Sequence, residues 1–313
     1  LLFHCLASGQ IPNHPVGSLR ANLNDQNTIQ VVKGDQIHCA NTSNLFSIDA
    51  NNEIERYSKI TGLNDIGIQF IGWDVSTQQL VIAYNNSNVD VLKGNVVKNI
   101  GDIKRSTITC NKTIYHIYCK DGFAYLSSGL GIIVVNLSKY EIKDTWFIGN
   151  NGTQVKINSI TSDNSFFYAA TEEGLKRIAV TAVDFSNYAN WQNISGANGL
   201  SNGSVKNTAY ANNKIIAQKN DSLFVLNGNN WNLLYTDATW PIVNITASEN
   251  KLLVCQRTVT GNARFFLLNP IATILFTVSQ LVVISFPLSA LPSFFSISIA
   301  SSFGVLSYFL STF

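Results

Sequence analysis

A hairpin recurs along this chain at intervals of roughly 40 residues, and that period narrows the possible folds more than any other feature. Its clearest copy sits inside Thr113–Ile148, TIYHIYCKDGFAYLSSGLGIIVVNLSKYEIKDTWFI. The pattern predicts four short strands there: Thr113–Cys119, Phe123–Ser127, Ile132–Leu137 and Glu141–Ile148. Lys120-Asp121-Gly122 makes the first turn, and Gly129 and Gly131 bracket the second. β-Branched and aromatic residues fill the runs, and Gly, Asn, Asp or Ser bound each one, which is how strands and turns divide a sequence. A lone four-stranded sheet of this kind cannot bury both faces, so it requires neighbours like itself.

Seven hairpins follow the pattern: Ile37–Ala50, Leu80–Gly94, Ala124–Leu137, Phe167–Val180, Ile215–Gly228, Leu252–Asn269 and, degenerately, Phe295–Phe309. Sheets repeated radially cover one another's faces, so the expected fold is all-β, a seven-bladed β-propeller of four-stranded antiparallel blades with a degenerate last blade. Ala40, Ala83, Ser127, Ala169 and Ala217 fall at matching places in the hairpins, where a packed interface would demand small side chains. Val16–Asn22 and Thr28–Val32 precede the first hairpin and are expected to complete the seventh blade, closing the ring.

The two ends read differently. The chain contains no Met, and Leu1–Ser8 resembles the end of a secretory h-region, so residues 1–9 are expected to be a signal-peptide remnant on a fragment. Residues 16–270 form the expected propeller. No charged residue appears after Arg264. Residues 271–313 are read as a degenerate last blade, with an apolar membrane segment or a corrupted reading frame as the open alternatives. Pro287 and Pro292 interrupt the tail, and the run Ile271–Phe286 is short of the ~20 residues of a spanning helix. FSISIAS alternates as a strand does.

Charge excludes some functions. The net charge is +2 and charged residues make up 13% of the chain, which, without a Lys/Arg cluster, gives no surface for tracking nucleic acid. The five Cys include no CxxC pair and lie at no ligand spacing from the four His, so no metal or cofactor is expected. Cys110 and Cys119 could meet across a strand pair, but free buried thiols are the default. His38 and His116 lie inside strands without a catalytic partner. Glu172-Glu173 falls in a turn, and Asp65, Asp90, Asp102 and Asp144 are scattered, so no carboxylate pair stands out and no enzyme is expected. The candidate binding residues are Lys104 and Arg105, in a connection between blades, where they could meet an anionic group such as phosphate or uronate.

Three stretches carry a family resemblance: IERYSKITGLNDIGI from Ile54, LVIAYNNSNVDVLKGNVVKNIGDIKRSTI from Leu80, and AYLSSGLGIIVVNLSKYEIKDTWFIGNNG from Ala124. They resemble the N-terminal β-propeller of the PorZ family, components of the type IX protein secretion system. More loosely, they resemble the propeller repeats of two-component regulators. Leu19 stands where the family's V-G-x-W opening has Trp, and only Gly304–Phe309 echoes a blade ending in the tail. The resemblance implies a secreted, non-enzymatic protein on the outer-membrane surface, working with the sortase PorU and with PorV and PorQ. It also implies contact with anionic lipopolysaccharide, without assigning that role to any residue. The second propeller and C-terminal sandwich domain of the family are not in this sequence. A periplasmic ligand-sensing propeller of a two-component regulator is the alternative.

Overall fold

Turn chemistry cuts the chain into its strands. Asp121 and Gly122, with φ of 52° and 81°, join Ile114–Lys120 to Phe123–Ser128 by a two-residue loop whose twist suits a hairpin. Asn212 and Asn213, at 49° and 57°, do the same between Asn207–Ala211 and Lys214–Lys219. Gly131, at 150°, lies so close to the Trp146 carbonyl oxygen that any Cβ would collide with it.

The computed structural model describes residues 28–248, 250–270 and 284–286. Six four-stranded antiparallel sheets follow in chain order. Blade 1 holds β1 (Gln30–Lys33), β2 (Ile37–Ala40), β3 (Leu45–Ile48) and β4 (Ile54–Tyr57). Blade 2 holds β5 (Ile68–Asp74), β6 (Gln79–Tyr84), β7 (Val89–Lys93) and β8 (Val96–Ile100), and a single helical turn, α1 (Asp102–Arg105), follows it. Blade 3 holds β9 (Ile114–Lys120), β10 (Phe123–Ser128), β11 (Ile132–Asn136) and β12 (Glu141–Trp146). Blade 4 holds β13 (Ile157–Ser162), β14 (Phe166–Thr171), β15 (Gly174–Ala179) and a two-residue β16 (Gln192–Asn193). Blade 5 holds β17 (Asn207–Ala211), β18 (Lys214–Lys219), β19 (Ser222–Asn227) and β20 (Asn230–Thr236). Blade 6 holds β21 (Ile242–Ser248), β22 (Lys251–Arg257), β23 (Ala263–Leu268) and β24 (Ile284–Phe286).

Each blade is a meander, and the first strands of consecutive blades pack side by side from β1 to β21. The apolar cores lie between blades rather than within them. Leu45, Ile71, Leu80 and Tyr84 join blades 1 and 2, while Val81, Val91, Ile117 and Leu126 join blades 2 and 3. Tyr125, Trp146, Ile160 and Phe167 join blades 3 and 4. Tyr168, Leu175, Ile215 and Trp231 join blades 4 and 5, and Ile216, Leu223, Ile245 and Phe266 join blades 5 and 6. At about 25 cal/mol per Å² of apolar surface, these seams are the main stabilising term.

Three expectations are corrected. The described residues form six blades, not seven: the seventh hairpin, Phe295–Phe309, lies outside them, and Ile284–Phe286 serves as the outer strand of blade 6. Thr28–Val32 does not complete a last blade. Its strand, β1, pairs with β2 as the inner strand of blade 1. The five small residues are all fully buried but not in one phase. Ala40 and Ala83 pack toward the following blade, whereas Ala169 and Ala217 pack toward the preceding one, because a one-residue difference in register reverses the face. The signal remnant, Cys5, Leu19 and Val16–Asn22 lie outside the described residues. No helix among those described is long and apolar enough to cross a membrane. Cys39, Cys110, Cys119 and Cys255 form no disulfide, so Cys110 and Cys119 do not bridge.

Candidate functional site: the axial channel and the basic connection

The inner strands share a motif. Ile68-Gln69-Phe70-Ile71, Ile114-Tyr115-His116-Ile117, Ile157-Asn158-Ser159-Ile160 and Ile242-Val243-Asn244-Ile245 each place two Ile three residues apart. Strand side chains alternate, so such a pair would face opposite sides of a regular sheet. Here both Ile of each pair enter the same interblade core. The register explains it: opposite the second strand, the pairing skips Gln69, Tyr115, Asn158 and Val243 in turn. Each is the extra residue of a β-bulge, which bends the strand and re-aims a side chain. Lys206, between buried Val205 and Asn207, holds the same place in blade 5.

These residues open onto a channel of about 800 Å³ walled by β1, β5, β9, β13, β17 and β21. Its described lining contains two lysines, Lys33 and Lys206, and no Asp or Glu. Side chains cross from blade to blade within the wall. Gln30 Oε1 accepts from the Ile71 amide at 2.8 Å, and Ser159 Oγ accepts from the Thr208 amide at 2.8 Å. Asn158 Nδ2 donates to the Val205 carbonyl at 2.7 Å, and Asn207 Nδ2 donates to Asn244 Oδ1 at 3.0 Å. His116 Nδ1 accepts a long bond from the Ile160 amide, 3.5 Å. Burial lowers the His116 pKa to about 4, so the ring is neutral near pH 7. Burial also pushes the Cys119 thiol well above its usual range, which leaves it protonated.

The predicted pair, Lys104 and Arg105, lies on α1 in the connection from blade 2 to blade 3, away from the channel lining. Both have partners. Lys104 Nζ donates to Asp65 Oδ2 at 2.6 Å, and Arg105 Nη2 donates to Asp102 Oδ1 at 2.9 Å. Burial alone would raise the Asp65 pKa, but bonds from Lys104, Asn86 and the Ile66 amide, with the Lys104 charge, bring it down to about 2. Asp65 is thereby the anchor that holds the helical turn to the loop ahead of β5. Lys112 Nζ joins the group through the carbonyls of Ser106, at 2.9 Å, and Lys104, at 3.3 Å.

The other predicted polar residues serve the fold. Asp90, fully buried, accepts from Tyr84, Asn64 and Asn99. Asp144 accepts from Trp146 Nε1 and Ser186, and Glu173 pairs with buried Lys176 at 2.7 Å. His38 donates or accepts toward Ser47 and Asp35, at 2.8 and 3.0 Å. Among the described residues no cluster of three or more His, Cys, Asp or Glu could hold a metal ion. The bulge residues Gln69, Tyr115, Asn158 and Val243 were not singled out in the sequence, although the paired Ile at a spacing of three is the signal of a bulge.

Comparison with known proteins agrees with this architecture. Residues 37–192 match the family described as the type IX secretion PorZ N-terminal β-propeller domain. The structure of PorZ, an essential bacterial surface component of the type IX secretion system of Porphyromonas gingivalis, superposes with a TM-score of 0.65 at 20% identity, over 77% of this chain and 32% of that one. The extracellular domain of a putative hybrid two-component system from B. thetaiotaomicron gives 0.59 at 13% identity, covering 85% of this chain and 36% of its own. That of a putative one-component system from the same organism gives 0.56 at 14%, covering 80% and 35%. The chain thus spans about a third of the length of each of these relatives. No curated protein matches the sequence. The chain is thus a β-propeller similar to PorZ, and its residues 37–192 match the family of PorZ N-terminal propeller domains.

Proposed function

We propose that this propeller is a non-catalytic scaffold and binding module of the type IX attachment complex at the outer-membrane cell surface. It works beside the sortase PorU, with PorV and PorQ, and holds anionic lipopolysaccharide for the sortase at the basic connection. The observation that carries this reading is a PorZ-type propeller whose axial channel has no carboxylate in its described lining. Glycoside or uronate cleavage in such a channel needs a positioned acid and base, whereas this wall supplies hydrogen-bonding groups. At the connection, Lys104 pairs with Asp65 and Arg105 with Asp102, and carbonyls hold the Lys112 ammonium without neutralising it. The Lys112 charge, held without a carboxylate partner, suits an exposed, salt-screened contact with an anion.

Titration of anionic lipopolysaccharide at low and high ionic strength tests the reading. Affinity should fall with salt and with Arg105→Ala, alone or combined with Lys104→Ala. Affinity indifferent to both overturns the anion contact. Failure to co-purify with PorU, PorV or PorQ overturns the scaffold role. A second reading, a periplasmic ligand-sensing propeller, draws on the likeness to extracellular sensor domains. The reading frame beyond residue 313 separates them: a second propeller and a sandwich domain support secretion, and a transmembrane helix with kinase domains supports sensing.

A further inference from the structure

Gln69, Tyr115, Asn158 and Lys206 come from four consecutive blades and hold the same place in the inner-strand motif. Bonding capacity remains in this ring. Gln69 Oε1 has no hydrogen-bond partner but is shut off from solvent, so a molecule in the channel does not reach it. Asn158 spends its Nδ2 on the Val205 carbonyl, which leaves Oδ1 as an acceptor. His116, the next residue along β9, accepts at Nδ1, so the neutral ring carries its proton on Nε2, which has no acceptor among the described residues. The Lys206 side chain is half-exposed, and its nearest carboxylate, Asp221, stands 4.0 Å away.

The charge balance selects the ligand. A cation entering this channel meets Lys33 and Lys206 and no carboxylate. A purely apolar ligand leaves Asn158 Oδ1 and His116 Nε2 without partners. Hydroxyl groups, which both donate and accept, suit a wall of amides and a neutral imidazole, and one negative charge suits Lys206. A cavity of about 800 Å³ is large enough for such a molecule. We propose that the axial channel binds a sugar acid, a hydroxyl-rich molecule or glycan end carrying a carboxylate, with the carboxylate on Lys206 and hydroxyls on Asn158 and His116. This site is separate from the basic connection, since neither Lys104 nor Arg105 lines the channel.

Calorimetric titration of the folded chain with D-glucuronate and its short oligomers, against D-glucose as the uncharged counterpart, tests the assignment. Glucuronate should bind at least tenfold more tightly than glucose, and Lys206→Met should erase that preference, as expected for one hydrogen bond to a charged group. Equal affinity for the two sugars, or binding of neither, overturns the proposal. Glucuronate binding that survives Lys206→Met and is lost with Arg105→Ala also overturns it, and leaves the basic connection as the anion site.

Discussion

Lys104→Ala separates a strut from a ligand-binding residue. The Asp65 carboxyl falls from 3.8 to about 2 in the folded chain. At about 1.4 kcal/mol per pH unit, that net shift, which remains after burial has opposed ionisation, is worth about 2.5 kcal/mol. Asn86 and the Ile66 amide supply part of it. The Lys104 side chain is 45% exposed, so solvent screens its share. The variant should therefore lose about 1 kcal/mol at pH 7. A carboxyl whose pKa is depressed on folding stabilises the protein above its unfolded pKa, and the benefit disappears as pH falls through the folded value. Wild type and variant should consequently converge between about pH 4 and pH 2. Urea unfolding of wild type, Lys104→Ala, Asp65→Asn and the double variant, at pH 7 and at the acid end, measures the coupling. A loss that is the same at both pH values, or that persists fully in the Asp65→Asn background, refutes the strut.

Two further outcomes follow from packing and burial. Trp146 stacks on Phe185 at 4.8 Å and contacts Tyr125, Phe167 and Trp191, so Trp146→Ala should cost about 3–5 kcal/mol in unfolding experiments; a loss under about 1 kcal/mol would show that this seam does not depend on the cluster. His116 should titrate near 4 by NMR, against 6.5 when unfolded, so the unfolded chain takes up the proton first and stability rises with pH across that interval. Burial of His38 acts in the same direction, so His116→Leu should flatten the slope only in part, and a His116 resonance titrating near 6.5 would refute the assignment.

The blades were legible because their information is local. In blade 3 the predicted strands match the observed ones to within two residues at each end, since β-branched runs and Asp-Gly turns act over a few residues. The blade count was less legible. It depended on extending the hairpin period into a tail rich in Leu, Ser and Phe, where apolar content no longer distinguishes one hairpin position from another. Lys104 and Arg105 drew attention because charge is scarce in this sequence, yet the partner of Lys104 is Asp65, 39 positions earlier. Nothing in the spacing of two such residues announces that they meet.

What the chain's own order of residues decides is the repeating unit: a four-stranded meander with one apolar face too many. Hydrophobic period and turn propensity act between near neighbours, so they can be read without a structure. Only the assembled ring decides what the inner strands do. Packing of blade on blade draws both Ile of each inner-strand motif into one core, and the bulge this requires turns Gln69, Tyr115, Asn158 and Val243 toward the axis. The channel and its charge are properties of six strands, distant in sequence, that tertiary packing sets around a common line.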